Sequence, residues 1–244
     1  MTTEAHIEPA PKPSRVLALV ATIPARRQSC TRVLAELARQ TRPPDGIVLV
    51  LDGYGDEPAP PCPLPIVLER RAAQLSGAGN RWRVAAELPA DDIVINVDDD
   101  TMLFEAPQFI AKLVAAVEEF GAAGAMGRTF DGKGAPPGRW SRGELMHAAG
   151  PGLSMRAGTL ANLAAFADAV KENGGPDALG PQGDDDSIVS AFLWKQGVPI
   201  KHAAICGNIF TAPGTVSTFK PQKDPDIQKR AIAKASGWPF RVWV

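Results

Sequence analysis

The sequence predicts an α/β protein, a mostly parallel central sheet flanked by helices. Three observations predict it. Val16 to Ala21, Ile47 to Leu51 and Ile93 to Val97 are short apolar runs, rich in β-branched residues and bounded by polar or turn residues. Runs of that length are too short for helices and read as strands buried on both faces, the habit of parallel sheets. Helix-period segments alternate with them, and strand–helix–strand is the opening of a right-handed parallel unit. Finally, the second and third runs end in acidic residues, Asp52 and Asp98-Asp99-Asp100. Open α/β sheets bind ligands at the carboxyl ends of their strands, so the site is expected there.

Taken in order, the first strand is Val16 to Ala21, closed by Thr22-Ile23-Pro24. Ser29 can cap a helix whose apolar positions Cys30, Val33, Leu34 and Leu37 share one face, and Thr41-Arg42-Pro43-Pro44 stops it. Arg26 and Arg27 fall between strand and helix, at the carboxyl edge. After the second strand, five prolines between Pro58 and Pro65 make a loop, and Ile66-Val67-Leu68 a third strand. Ser76-Gly77-Ala78-Gly79 introduces a helix from Asn80 to Leu88. Pro107 suits the first turn of a helix with Ile110, Leu113, Val114 and Val117 as its buried stripe. Ala122 to Met126 is a small-residue strand.

Residues 127–143 lack periodicity and read as a loop over the site, carrying Arg128, Lys133, Arg139, Trp140 and Arg142. Leu145 to Ala149 and Leu153 to Met155 are short strands, and a helix runs from about Thr159 to Val170. Asp184-Asp185-Asp186 then opens a helix that ends at Gly197, before a strand from Val198 to Ile200. Acidic residues suit a first helical turn by offsetting the macrodipole, but three in a row exceed what capping requires. Residues 1–14 read as a loose tail, 15–210 as the domain, and 211–244 as a C-terminal tail with Trp238, Phe240 and Trp243 available to pack on it.

The chain has 244 residues, enough for one large α/β domain. A net charge of -1 argues against nucleic acid or anionic membrane as a main partner. Cys30, Cys62 and Cys206 are odd in number and widely spaced, fitting neither a disulfide framework nor a zinc site. With no apolar leader and no transmembrane-length apolar run, the expected setting is cytoplasmic.

On an extended chain Asp98 and Asp100 point the same way and Asp99 the other. Two hard oxygen ligands at close range suit Mg²⁺ or Mn²⁺ bridging to substrate phosphates. His147 and His202 read as structural, although His202 is placed to complete a metal shell.

Asn80-Arg81-Trp82, the strand ending in Asp98-Asp99-Asp100-Thr101, and Asp185-Asp186 before a helix together resemble the GT-A nucleotide-diphospho-sugar glycosyltransferases. The likeness is strongest to the exostosin-like group. Thr22-Ile23-Pro24 and Gln40-Thr41-Arg42-Pro43-Pro44 resemble the start of the broad inverting glycosyltransferase family. The resemblance covers roughly residues 16–201, and departs from the family in having Asp-Asp where it has Glu-Asp. It implies the GT-A fold, a nucleoside diphosphate sugar donor, UDP-sugar by preference, and a saccharide or other hydroxyl acceptor. It places Asp98 and Asp100 at the metal, Asp98 and Asp99 near the ribose, and Asn80 and Arg81 by the nucleotide. Thr22, Pro24 and Asp52 match nucleoside-pocket positions. Asp185 or Asp186 matches the catalytic carboxylate beside the acceptor, with Asp184 behind them.

The implied reaction is metal-dependent sugar transfer, the cation neutralising the departing diphosphate. Inversion makes Asp185 or Asp186 a general base, and retention makes it an orienting group. Two rivals share the scaffold. A nucleotidyltransferase usually has a Gly-rich loop after the first strand, where this chain has Thr22-Ile23-Pro24-Ala25-Arg26-Arg27. A non-catalytic nucleotide-sugar-binding module would bind the donor without turnover.

Overall fold

The computed structural model describes residues 14–74, 76–128, 143, 145, 146, 148–181, 183–205, 210, 211 and 227–237. The N-terminal tail, nearly all of the 127–143 loop, His147, Cys206, Trp238, Phe240 and Trp243 lie outside them.

The first half runs β1 (Val16–Thr22), a 3-10 turn (Pro24–Arg26), α1 (Arg27–Ala38), β2 (Gly46–Asp52), β3 (Ile66–Ala72), α2 (Asn80–Ala85), β4 (Ile93–Asn96), β5 (Thr101–Met102) and α3 (Phe109–Phe120). Then come β6 (Ala122–Gly124), β7 (Gly127–Arg128), β8 (Leu145–Met146), β9 (Ala148–Ala149), β10 (Ser154–Arg156), a 3-10 turn (Ala157–Leu160) and α4 (Leu163–Glu172). The chain continues through α5 (Asp185–Lys195), β11 (Ile200–His202), β12 (Phe210–Thr211) and α6 (Ile227–Ser236).

Eight strands form the central sheet in the order β3-β2-β1-β4-β10-β6-β11-β8. β3, β2, β1 and β4 run parallel to one another, as do β6 and β11, whereas β10 runs antiparallel between β4 and β6 and β8 antiparallel to β11. The strand alternation sorts the core into two layers. Ala18, Val20, Leu49, Ile93 and Ile95 face α1 and α3. Leu17, Leu19, Val48, Val50 and Val94 face the opposite layer, which includes residues of α2, α4, α5 and α6. Buried on both faces, β1 and β2 carry no exposed residue, as their unbroken apolar sequence predicts.

Several boundaries differ from the sequence reading. α1 starts at Arg27, because Pro24 nucleates a 3-10 turn that runs into it, and the Ser29 hydroxyl donates to the Arg26 carbonyl rather than capping. Pro107 lies before α3, where its carbonyl accepts from the Thr41 amide and hydroxyl. β3 runs on to Ala72 through Glu69, Arg70 and Arg71, charges that an exposed edge strand accommodates. The expected 159–170 helix is broken at Asn162, which takes a left-handed conformation before α4.

Two buried tethers hold the segment after the Asp triplet. The Leu103 amide donates to Glu36 of α1 at 2.5 Å, and the Ile110 amide to Gln40 at 3.4 Å. α6 is tied to α5 by Gln228, bonded to the amide and carbonyl of Asp184, and by Lys195 Nζ on the Ala235 carbonyl. Cys30 and Cys62 are free thiols, and burial pushes Cys30 up to about 12. Among the described residues no helix is long and apolar enough to cross a membrane.

Candidate active site

Strand parity explains how the Asp triplet is divided. Asn96 and Asp98 continue the Val94 face, toward α2 and α5, whereas Asp99 falls on the Ile95 face, toward α1. The chain then turns, the Thr101 amide donating to the Asp98 carbonyl at 3.0 Å. That turn ends the alternation and swings Asp100 to the side of Asp99. Arg26 Nη1 therefore meets both, Asp99 at 2.7 Å and Asp100 at 3.2 Å. The expectation that Asp98 and Asp100 share one direction assumed an extended chain, and the turn overturns it.

On the other face Arg81 is the hub. Its side chain is 3% exposed and its Nη1 reaches Asp98 Oδ1 at 2.7 Å. Its Nη2 and Nε reach Asp185 Oδ2 at 2.9 and 3.2 Å. Trp82 Nε1 donates to the same oxygen at 3.1 Å. Next along α5, Asp186 Oδ1 accepts from Asn96 Nδ2 at 3.2 Å. Asp184 is the helix cap, accepting from the Ser187 amide and hydroxyl.

Glycine makes this meeting of α2 and α5 possible. Gly77 and Gly79 precede α2, and Gly180 and Gly183 precede α5. A Cβ on Gly79 would lie 2.6 Å from the Leu179 backbone, and one on Gly77 within 2.6 Å of the Gly180 carbonyl. Gly77 also holds φ at +97°. Asp52 fixes this loop from below: its carboxylate accepts from the Ser76 amide and hydroxyl, both at 2.6 Å, and from the Gly77 amide at 2.8 Å. Asn80 Nδ2 donates to the Ser76 hydroxyl.

The predicted residues thus fall into three groups. Arg81, Asp98, Asp185 and Asp186 converge. Thr22 (buried at the end of β1), Pro24, Asp99 and Asp100 gather around Arg26. Asp52 and Asn80 anchor the loop before Arg81. Arg26, Trp82 and Asn96 are the additional participants. Asn96 had one legible signal, a lone amide inside an otherwise aliphatic buried strand. His202 is buried, with Nδ1 accepting from the Ala204 amide.

The electrostatics follow from this packing. Burial raises Asp99, with Arg26 and the Thr22 hydroxyl opposing the shift. Burial likewise raises Asp185, against the pull of Arg81. Asp186 is held well above the usual carboxylate range, by burial first and then by the charges of Asp185 and Asp98. Arg81 is held firmly protonated: Asp185 and Asp98 outweigh the opposing cost of its burial.

No protein-family model and no curated protein matches the sequence. Solved structures do. S. aureus TarS 1-349 superposes with a TM-score of 0.53 at 15% identity, over 81% of this chain and 60% of that one. Its complex with UDP-GlcNAc gives 0.61 at 15%, over 91% and 66%, and its complex with UDP 0.55 at 17%, over 91% and 65%. The chain therefore spans less than two thirds of these TarS chains. At such identity the likeness shows the fold, which is that of the GT-A glycosyltransferases. It does not extend to the exostosin-like group.

Proposed function

We propose that this chain transfers a sugar from a nucleoside diphosphate sugar to an acceptor hydroxyl. The observation that carries the reading is the bridge made by Arg81. On a GT-A fold, one buried guanidinium ties the carboxylate after β4 to the carboxylate opening α5, so donor-side and acceptor-side groups meet at one sheet edge. The TarS complexes with UDP-GlcNAc and UDP support a uridine nucleotide as donor.

A divalent cation fits the donor set in a particular way. Five carboxylates, Asp98, Asp99, Asp100, Asp185 and Asp186, gather around two guanidinium groups, Arg26 and Arg81. An anionic diphosphate approaching that surplus of negative charge requires a cation. Among the described residues no three His, Cys, Asp or Glu side chains are arranged to hold a metal by themselves. The residues therefore suit Mg²⁺ or Mn²⁺ arriving with the diphosphate and held by one or two carboxylates, the usual habit of phosphate-bound Mg²⁺. Asp98 is the first choice: Oδ1 takes Arg81, and the side chain is 29% exposed. Asp100, paired with Arg26, is the second. When bound, the ion neutralises charge growing on the leaving diphosphate.

The two α5 carboxylates divide the remaining work. Asp185 Oδ2 is already filled by three donors from Arg81 and Trp82, which suits a fixed electrostatic role. Asp186 has one donor among the described residues and a raised proton affinity, which suits a general base for the acceptor hydroxyl. A base on the acceptor side implies inversion at the anomeric carbon, and a product of retained configuration contradicts the assignment. The test of donor binding is a thermal-shift screen of UDP-, GDP- and TDP-sugars with and without Mn²⁺. A ligand at 100 times its dissociation constant stabilises by about 2.7 kcal/mol. Failure of every nucleotide sugar to raise the melting temperature refutes the reading.

A further inference from the structure

Asn96 closes β4 with its side chain fully buried on the face that meets α5. Its backbone is held on both sides, the amide donating to the Leu153 carbonyl at 2.9 Å and the carbonyl accepting from the Gly152 amide at 2.8 Å. Only the side-chain torsions remain to turn. Nδ2 donates to Asp186 Oδ1, while Oδ1 is buried and has no hydrogen-bond partner among the described residues. Buried amide oxygens are nearly always satisfied, so this one asks for an explanation. An Asn amide presents donors on one side and an acceptor on the other, and a half-turn exchanges them. An ionised carboxylate needs the donor, whereas a carboxylic acid offers an O–H that needs the acceptor. Asp186 Oδ2 lies beside Gly150, where an added Cβ would be 3.5 Å away.

We propose that Asn96 is the positioning residue for the transfer. Its amide donates to the Asp186 carboxylate before reaction and turns over to accept from the Asp186 acid after it. The inference rests on the reading of Asp186 as the acceptor-side base. In the step itself the acceptor oxygen forms a bond to the anomeric carbon. The bond from that carbon to the diphosphate oxygen breaks, its electron pair leaving with the diphosphate. The hydroxyl proton passes to Asp186 and comes to rest on Oδ1, the oxygen that Asn96 faces, where the turned amide accepts from the new acid and keeps it in place. The charged groups facing Asp186 are Asp184 and Asp185 on its own helix, Arg81 from α2 and Asp98 from the end of β4.

Heteronuclear NMR of the full chain tests the pair without needing activity. Across a pH series rising from about 4, the ordinary Asp value, the Asn96 side-chain amide signals are expected to move in one titration that Asp186→Asn abolishes. Signals that stay still, or that move equally in Asp186→Asn, overturn the proposal. Kinetics supply the second test, with UDP release from UDP-GlcNAc as the readout. Asn96→Leu keeps the volume and removes both polar atoms. It is expected to lower kcat about 100-fold, the scale of general-base catalysis, with UDP-GlcNAc affinity within about twofold. In an Asp186→Asn background the same change is expected to cost nothing further, because the two residues act as a unit. An unchanged kcat, or an equal loss in both backgrounds, overturns it. If the wild-type chain does not bind UDP-GlcNAc, the donor assignment fails while the NMR result still judges the Asn96–Asp186 pair.

Discussion

Replacing Arg81 by Met keeps most of the apolar stem and removes the charge. The guanidinium is buried and serves two carboxylates, with side-chain exposures of 15% for Asp185 and 29% for Asp98. Breaking a buried ion pair from one side costs about 3–5 kcal/mol, because the partner charge is left behind. Water reaching Asp98 screens its share, which places the expected loss near the lower end, about 3 kcal/mol. At about 2–4 °C per kcal/mol for a chain of this size, the melting temperature falls by about 6–12 °C. The pH dependence has a definite sign. Asp185 already sits above the usual range with Arg81 present, and losing that cation raises it further. The folded variant then holds a proton that the unfolded chain, titrating near about 3.9, has released. Its deficit relative to wild type is therefore small near about pH 4 and grows as pH rises through the folded-state value. Differential scanning fluorimetry across that range checks both points. A fall of less than about 2 °C at pH 8, or a deficit that does not change with pH, refutes the buried-hub description.

Other outcomes follow from the same geometry. Asp186→Asn removes a desolvated carboxylate whose folded-state proton affinity is raised, so stability contributed below about pH 4 and lost as pH rises disappears from the profile. The variant is expected to melt higher than wild type at pH 8 and alike near pH 4, as calorimetry will read, while keeping only a residual transfer rate. Gly79→Ala drives a methyl into the Leu179 backbone and is expected to cost about 1–3 kcal/mol and to weaken UDP binding by separating Arg81 from Asp185. Arg26→Gln leaves Asp99, 3% exposed, without its cation, and is expected to destabilise by about 3 kcal/mol in urea unfolding.

The β1–α1–β2 unit and β4 were legible because buried parallel strands write unbroken aliphatic runs. The opening of α5 was legible because capping chemistry is local. Less visible was what depends on contacts distant in sequence. β3 hides its length behind Glu69, Arg70 and Arg71, since an edge strand shows no apolar run. β10 enters antiparallel between β4 and β6, an order that no local pattern encodes. At the site, Asp98, Arg81 and the α5 carboxylates are legible residue by residue, but their pairing depends on the packing of residues 76–79 against 179–181. The direction of Asp100 is hidden for a simple reason: a turn replaces the extended backbone at the end of β4, and strand alternation stops there.

The most direct test is calorimetric titration of UDP-GlcNAc into the wild-type chain and into Asp98→Asn, each with and without Mn²⁺. Micromolar to millimolar binding that requires Mn²⁺, and that weakens at least about tenfold in Asp98→Asn, is the expected result. Absence of binding to the wild type, or equal binding by both proteins, contradicts a nucleoside diphosphate sugar held at the end of β4.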